Sequence, residues 1–139
     1  MAAPVLIVED VADDVELFRN VLKSTGVTNR VLVVREADEV FRYLTGQPPF
    51  SDRNRYPLPG VLVVDLKLPG HDGFEVVKWV RAQSELRDIL VVVLSVSDDL
   101  PSIRRAYEAG ANSFLAKPIN SVDLQNLVQA FPQHWTRQK

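Results

Sequence analysis

The chain has 139 residues, 46% of them apolar and 24% charged, the balance of a folded domain rather than of a disordered chain. It has no cysteine, which excludes disulfides, zinc–thiolate centres and thiol chemistry, and its net charge of −2 leaves no basic footprint for nucleic acid. No apolar run approaches the roughly 20 residues of a membrane span, and Met1-Ala2-Ala3-Pro4 lacks the charged and apolar parts of a signal peptide, so a single-domain cytoplasmic protein is expected.

Five short apolar runs punctuate the chain. Val5–Val8 comes first, followed by a helical stripe of Val15, Phe18, Val21 and Leu22, with Asp13 as the expected N-cap. Val31–Val34 is second, and Ala37, Val40, Phe41 and Leu44 form the next stripe. Thr45–Gly60 (TGQPPFSDRNRYPLPG) then breaks the rhythm with four of the nine prolines. It reads as a long loop, of a kind that divides between functional segments and tolerated surface insertions. Val61–Val64 is the third run, followed by Phe74, Val76, Val77 and Val80 behind an Asp72 cap. Ile89–Leu94 is the fourth. The helix after it carries Ile103, Ala106 and Tyr107, with Asp98 and Asp99 as capping residues and Gly110 as its stop. Phe114–Ala116 is the fifth, and Leu124, Leu127, Val128 and Phe131 follow Asn120 or Ser121.

Most of the runs are continuous and rich in Val and Ile, as strands buried on both faces are. Strict alternation with helices predicts an α/β domain: a five-stranded parallel sheet, doubly wound and flavodoxin-like, in the order 2-1-3-4-5. The first and last helices then share one face.

In such a sheet, ligands bind beyond the carboxyl ends of the strands, where the order reverses. The residues at those ends are Glu9 and Asp10, Asp65, Ser95 and Lys117. Three carboxylates converging there call for a cation, and an all-oxygen set without His or Cys suits Mg²⁺. A lysine and a hydroxyl beside such a metal complete a site for a phosphoryl group. Asp65 stands centrally and is the candidate nucleophile, which would become an aspartyl phosphate.

At this point the residues resemble a known family. Val5-Leu-Ile-Val-Glu-Asp10, Val63-Val-Asp-Leu-Lys-Leu-Pro-Gly-His-Asp-Gly73, Val93-Leu-Ser95 and Ala109-Gly-Ala-Asn-Ser-Phe-Leu-Ala-Lys-Pro118 look like the receiver domain of two-component response regulators. The resemblance implies that a histidine kinase passes a phosphoryl group to Asp65 with Mg²⁺, and that the chain catalyses only its own phosphorylation and dephosphorylation. It implies metal binding by Glu9, Asp10, Asp65 and the backbone carbonyl of Lys67. It assigns a switch hydroxyl to Ser95, a phosphoryl-binding ammonium to Lys117, an aromatic switch to Phe114 and a cis bond to Lys117–Pro118. Phosphorylation would then reshape the face made by the fourth helix, fifth strand and fifth helix. The long Pro-rich loop, the Asp10-Val-Ala-Asp-Asp14 opening and Trp135 further resemble the stand-alone regulators that serve bacterial phytochrome-type kinases, which often dimerise through that face.

Three positions depart from the family's commoner residues: Phe114 for tyrosine, Glu9 for aspartate, and Val96, bulkier than usual beside Ser95. Two other readings compete. An aspartyl-phosphate phosphatase needs a second aspartate two residues after its nucleophile, where this chain has Lys67 after Asp65 and Ala12 after Asp10. A pseudo-receiver would keep the fold and bind partners without phosphate. Elsewhere, His71 is expected as a solvated turn residue, His134 as exposed, and Trp79 as partly exposed. Phe131 and Trp135 are expected either as an exposed aromatic pair or packed back on the domain.

Overall fold

The computed structural model describes residues 3–138. Its elements alternate as expected: β1 (Val5–Val8), α1 (Ala12–Ser24), β2 (Val31–Val34), α2 (Ala37–Thr45), β3 (Val61–Asp65), α3 (Gly73–Ala82), β4 (Leu90–Ser95), α4 (Leu100–Ala109), β5 (Ser113–Ala116) and α5 (Ser121–Ala130). A two-residue antiparallel ladder pairs Lys67–Leu68 with His71–Asp72 just before α3. The five long strands are parallel and lie in the order β2-β1-β3-β4-β5, the doubly wound, flavodoxin-like order.

The strand period of two divides each apolar run between two cores. Leu6, Val8, Leu62, Val64, Val91 and Val93 face α2, α3 and α4, together with Val40, Val77 and Ala106. Val5, Ile7, Val61, Val63, Leu90 and Val92 face α1 and α5, together with Phe18, Leu22, Leu124 and Val128. β1, β3 and β4 are buried along their whole length, because neighbouring strands flank them and helices cover both faces.

Helix starts follow side-chain chemistry with two adjustments. Asp72, Asp99 and Asn120 each accept a hydrogen bond from the backbone N–H three residues on. Of the two candidates before α4, Asp99 is therefore the cap, not Asp98. α1 begins at Ala12 after Val11, with no side-chain cap, so Asp13 is not its N-cap. Asp13 lies inside the first turn, where its charge favours the helix's positive end instead.

Two apolar readings also shift. Tyr107 is 48% exposed, because α4 is buried through its small residues Ala106 and Ala109. Phe131 lies just past α5 and is half-buried.

The 46–60 segment sits at the amino ends of the strands, opposite the expected site, and forms a small core of its own. The rings of Tyr43, Phe50 and Tyr56 pack with centroids 5.1–5.9 Å apart. The Tyr43 hydroxyl donates to the Pro57 carbonyl at 2.7 Å, and Arg53 donates to the carbonyls of Tyr43, Leu44 and Tyr56. At the other terminus α5 stops before Pro132, and the chain folds back so that Trp135 is buried with Val27 and Leu22. Backbone bonds from Thr28 N–H to Thr136 and from Gln138 N–H to Gly26 fasten this tail. His134 is half-buried rather than exposed, with Nε2 3.2 Å from the Asp88 carbonyl oxygen, because the returning tail covers it.

Candidate functional site

β3 and β4 each extend one residue beyond their apolar runs, so Asp65 and Ser95 are the last residues of their strands. The register places Asp65 beside Leu94 and Ser95 beside Ala116, directly before Lys117. Sheet pairing thus delivers Asp65, Ser95 and Lys117 to one end of the molecule. Glu9 follows β1, and its backbone N–H is held by the Val34 carbonyl at 3.0 Å.

Glu9, Asp10 and Asp65 each offer an oxygen within 4.8 Å of the others'. Glu9 and Asp65 are buried and Asp10 is exposed on the rim. The ammonium of Lys117 sits over the cluster: Nζ is 2.7 Å from Glu9 Oε2, 2.7 Å from Asp65 Oδ2 and 2.9 Å from Asp14 Oδ2. Asp65 Oδ1 accepts the backbone N–H of Lys67 at 2.9 Å, so both oxygens of this carboxylate are held. Glu9 Oε1 likewise accepts from Val11 N–H at 3.1 Å.

Electrostatics follow from this crowding. Burial first, and then the neighbouring Asp65, push the Glu9 carboxyl up to about 7, against the opposing effect of Lys117. Burial alone would lower the pKa of Lys117, but hydrogen bonds to Asp65, Glu9 and Asp14 outweigh it and hold the ammonium well above its ordinary value. The site keeps a charged lysine and an excess of negative charge. All-oxygen donors with one carboxyl held abnormally high fit a hard divalent cation.

Ser95 is buried, and its Oγ accepts from Ser97 N–H at 2.9 Å. Among the described residues its hydroxyl makes no hydrogen bond to Asp65 or Lys117, although the Ser95 carbonyl accepts the Lys117 backbone N–H at 2.8 Å. Val96 beside it is 61% exposed. Phe114 is half-buried against α4 and lines a cleft with Asp98, Ile103, Asp123 and Phe131 between α4 and α5. The Lys117–Pro118 bond is cis, as the resemblance implies. Lys67 is exposed on the short ladder that follows Asp65.

Gly73 explains part of the local sequence. A Cβ there would lie 2.6 Å from the Asp65 carbonyl oxygen and 2.7 Å from Leu66 Cα. Only glycine lets α3 start this close to the strand that carries Asp65. His71 is exposed, with Nδ1 3.1 Å from Glu75 Oε2 and Nε2 3.7 Å from Asp38 Oδ1, and the bond to Glu75 raises its pKa. It belongs to the rim and makes no bond with the lysine-centred cluster. Trp79 is half-buried and packs on Phe41 at 4.8 Å between ring centroids.

Sequence reasoning missed Asp14. The available signal was its place in the first turn of a helix that follows β1. Helical side chains tilt toward the helix N-terminus, which here means toward the strand end that carries Glu9.

Comparison with known proteins agrees with this geometry. Response regulator Rcp1 from Synechocystis is 30% identical over 131 residues, covering 94% of this chain and 87% of Rcp1, and a Mn²⁺-bound Rcp1 structure superposes with a TM-score of 0.75. The bacteriophytochrome response regulator AtBRR is 33% identical, with a TM-score of 0.83 over 100% of this chain and 99% of that one. The response regulator RPA3017, of red light signalling in R. palustris, is 27% identical, with a TM-score of 0.85 over 99% of both chains. Residues 5–129 match the family model of the response regulator receiver domain, and with this fold, strand order and coverage the chain belongs to the receiver domain family of two-component response regulators.

Proposed function

We propose that this chain is a single-domain response regulator that accepts a phosphoryl group on Asp65 from a histidine kinase, with Mg²⁺ held by Glu9, Asp10, Asp65 and the Lys67 carbonyl. The observation that carries the reading is the Lys117 ammonium 2.7 Å from Asp65 Oδ2, in a cluster whose other carboxylates converge on the same point. A bound divalent cation would offset the negative charge that gathers as an anionic donor meets this cluster. The rest falls to the chain's own residues. An Asp65 oxygen attacks the phosphorus of phosphohistidine. The new P–O bond forms as the P–N bond breaks, and the electron pair leaves on the imidazole nitrogen, which takes a proton from solvent. Lys117 offsets charge on the transferred group, and the chain turns over no other substrate.

The response is a population shift. Ser95 gives up Ser97 N–H to bond the phosphoryl group, and Phe114 follows into the space it leaves. The face of α4, β5 and α5 then presents a different surface to a partner or to a second copy. Exposed apolar side chains there support such a role: Leu100 at 73%, Tyr107 at 48% and Val122 at 65%. The similarity to AtBRR and RPA3017 supports a phytochrome-type kinase as the donor.

Acetyl phosphate with and without Mg²⁺, read by intact mass alongside Asp65→Asn, tests the chemistry. A Mg²⁺-dependent phosphoryl adduct that disappears in the variant is expected. No adduct on the wild-type chain, with beryllofluoride also failing to bind, would overturn the reading in favour of a phosphate-independent binding module.

A further inference from the structure

Asp14 is the carboxylate at the carboxyl end of the sheet that the family motifs leave without a role. It lies in the first turn of α1, and its Oδ2 accepts from Lys117 Nζ at 2.9 Å, its one side-chain hydrogen bond among the described residues. It stands outside the three carboxylates whose oxygens converge within 4.8 Å. An ammonium has three N–H donors. Glu9, Asp14 and Asp65 take all of them.

A phosphoryl group on Asp65 would replace one carboxylate charge with nearly two and bring further acceptor oxygens to a lysine with no donor to spare. One existing bond has to open. Glu9 is 1% exposed, so water cannot replace the lysine there. The Asp14 side chain is 39% exposed, and water can replace the lysine there. Of the two partners that do not carry the phosphoryl group, Asp14 is therefore the one released at lower cost.

Resting on the reading of Asp65 as phosphoacceptor, we propose that Asp14 is a positioning residue that holds the third donor of Lys117 and yields it to the phosphoryl group. Its charge stabilises the unphosphorylated arrangement and opposes a second anion on the same lysine. Asp14 so lowers phosphoryl occupancy and shortens its lifetime, acting through Lys117 alone.

The test titrates the full chain with beryllofluoride at saturating Mg²⁺, followed by backbone amide NMR, for wild type, Asp14→Asn, Asp14→Ala and Asp14→Glu. Asn and Ala should bind roughly three- to tenfold more tightly, the scale of a partly solvated charged contact. Glu keeps the charge and should stay within about twofold of wild type. Amide spectra of each variant report that it is folded. Acetyl phosphate labelling read by intact mass should rank the variants in the same order. Unchanged affinity in Asn and Ala would make Asp14 a bystander, and weaker affinity would make it a residue that aims Lys117 at Asp65; either overturns the proposal. A wild-type chain that takes neither beryllofluoride nor phosphoryl would instead overturn the phosphoacceptor reading, and this one with it.

Discussion

Raising the pH of the metal-free protein from about 5 to about 8 should lower its stability, the reverse of the usual behaviour of a carboxylate. The cause is Glu9, raised from 4.5 to about 7, first by burial and then by Asp65. Between those two values the folded chain holds a proton that the unfolded chain has lost. Stability therefore falls as pH rises through the window, and the loss is complete above about 7. A displacement of this size corresponds to about 3 kcal/mol as an upper bound, or about 10 °C in Tm for a chain of this length. Lys117, raised above its ordinary value, stays charged in both states across the window and contributes no slope there. His71, also raised, adds a slope of the same sign near neutrality, and His71→Gln removes it. Urea denaturation in EDTA at several pH values, with Glu9→Gln as control, measures the effect. Mg²⁺ should counteract it increasingly as pH rises, because the cation binds the ionised carboxylates. A wild-type stability that is flat or rises between about pH 5 and 7, or a Glu9→Gln variant that keeps the slope, would refute the reasoning.

Two substitutions probe the architecture of the same site. Lys117→Met strips Glu9, Asp14 and Asp65 of their cation and should cost the metal-free protein about 3–5 kcal/mol near neutral pH, while tightening Mg²⁺ binding by calorimetry and reducing phosphoryl uptake. Weaker Mg²⁺ binding in that variant would mean that the lysine assembles the carboxylates rather than competing for them. Gly73→Ala forces a methyl against the Asp65 carbonyl oxygen and Leu66 Cα, and should cost roughly 1–3 kcal/mol in urea melts and disturb the beryllofluoride complex. Wild-type behaviour on both counts would show that α3 can retreat from β3 freely.

Much of this molecule is legible in near neighbours along the chain. Five short apolar runs, four of them rich in β-branched residues, alternate with helical stripes and specify the parallel doubly wound sheet, because its central strands need apolar side chains on both faces. Once the strand order is known, the residues at the strand ends must meet, and Glu9, Asp10, Asp65 and Lys117 do. Tertiary structure decided the rest. Asp14 and Lys117 are 103 positions apart, and their contact depends on the angle at which α1 leaves β1. Trp135 is buried because the tail turns back onto Val27, a choice that Pro132 permits but that no local pattern makes. Tyr107 sits at helical spacing with Ala106 yet faces solvent, because two alanines suffice for α4 to pack. Periodicity and strand ends are local properties, set within a few residues. Which donor meets which acceptor across a sheet is set by the packing of whole elements, which no single stretch of sequence contains.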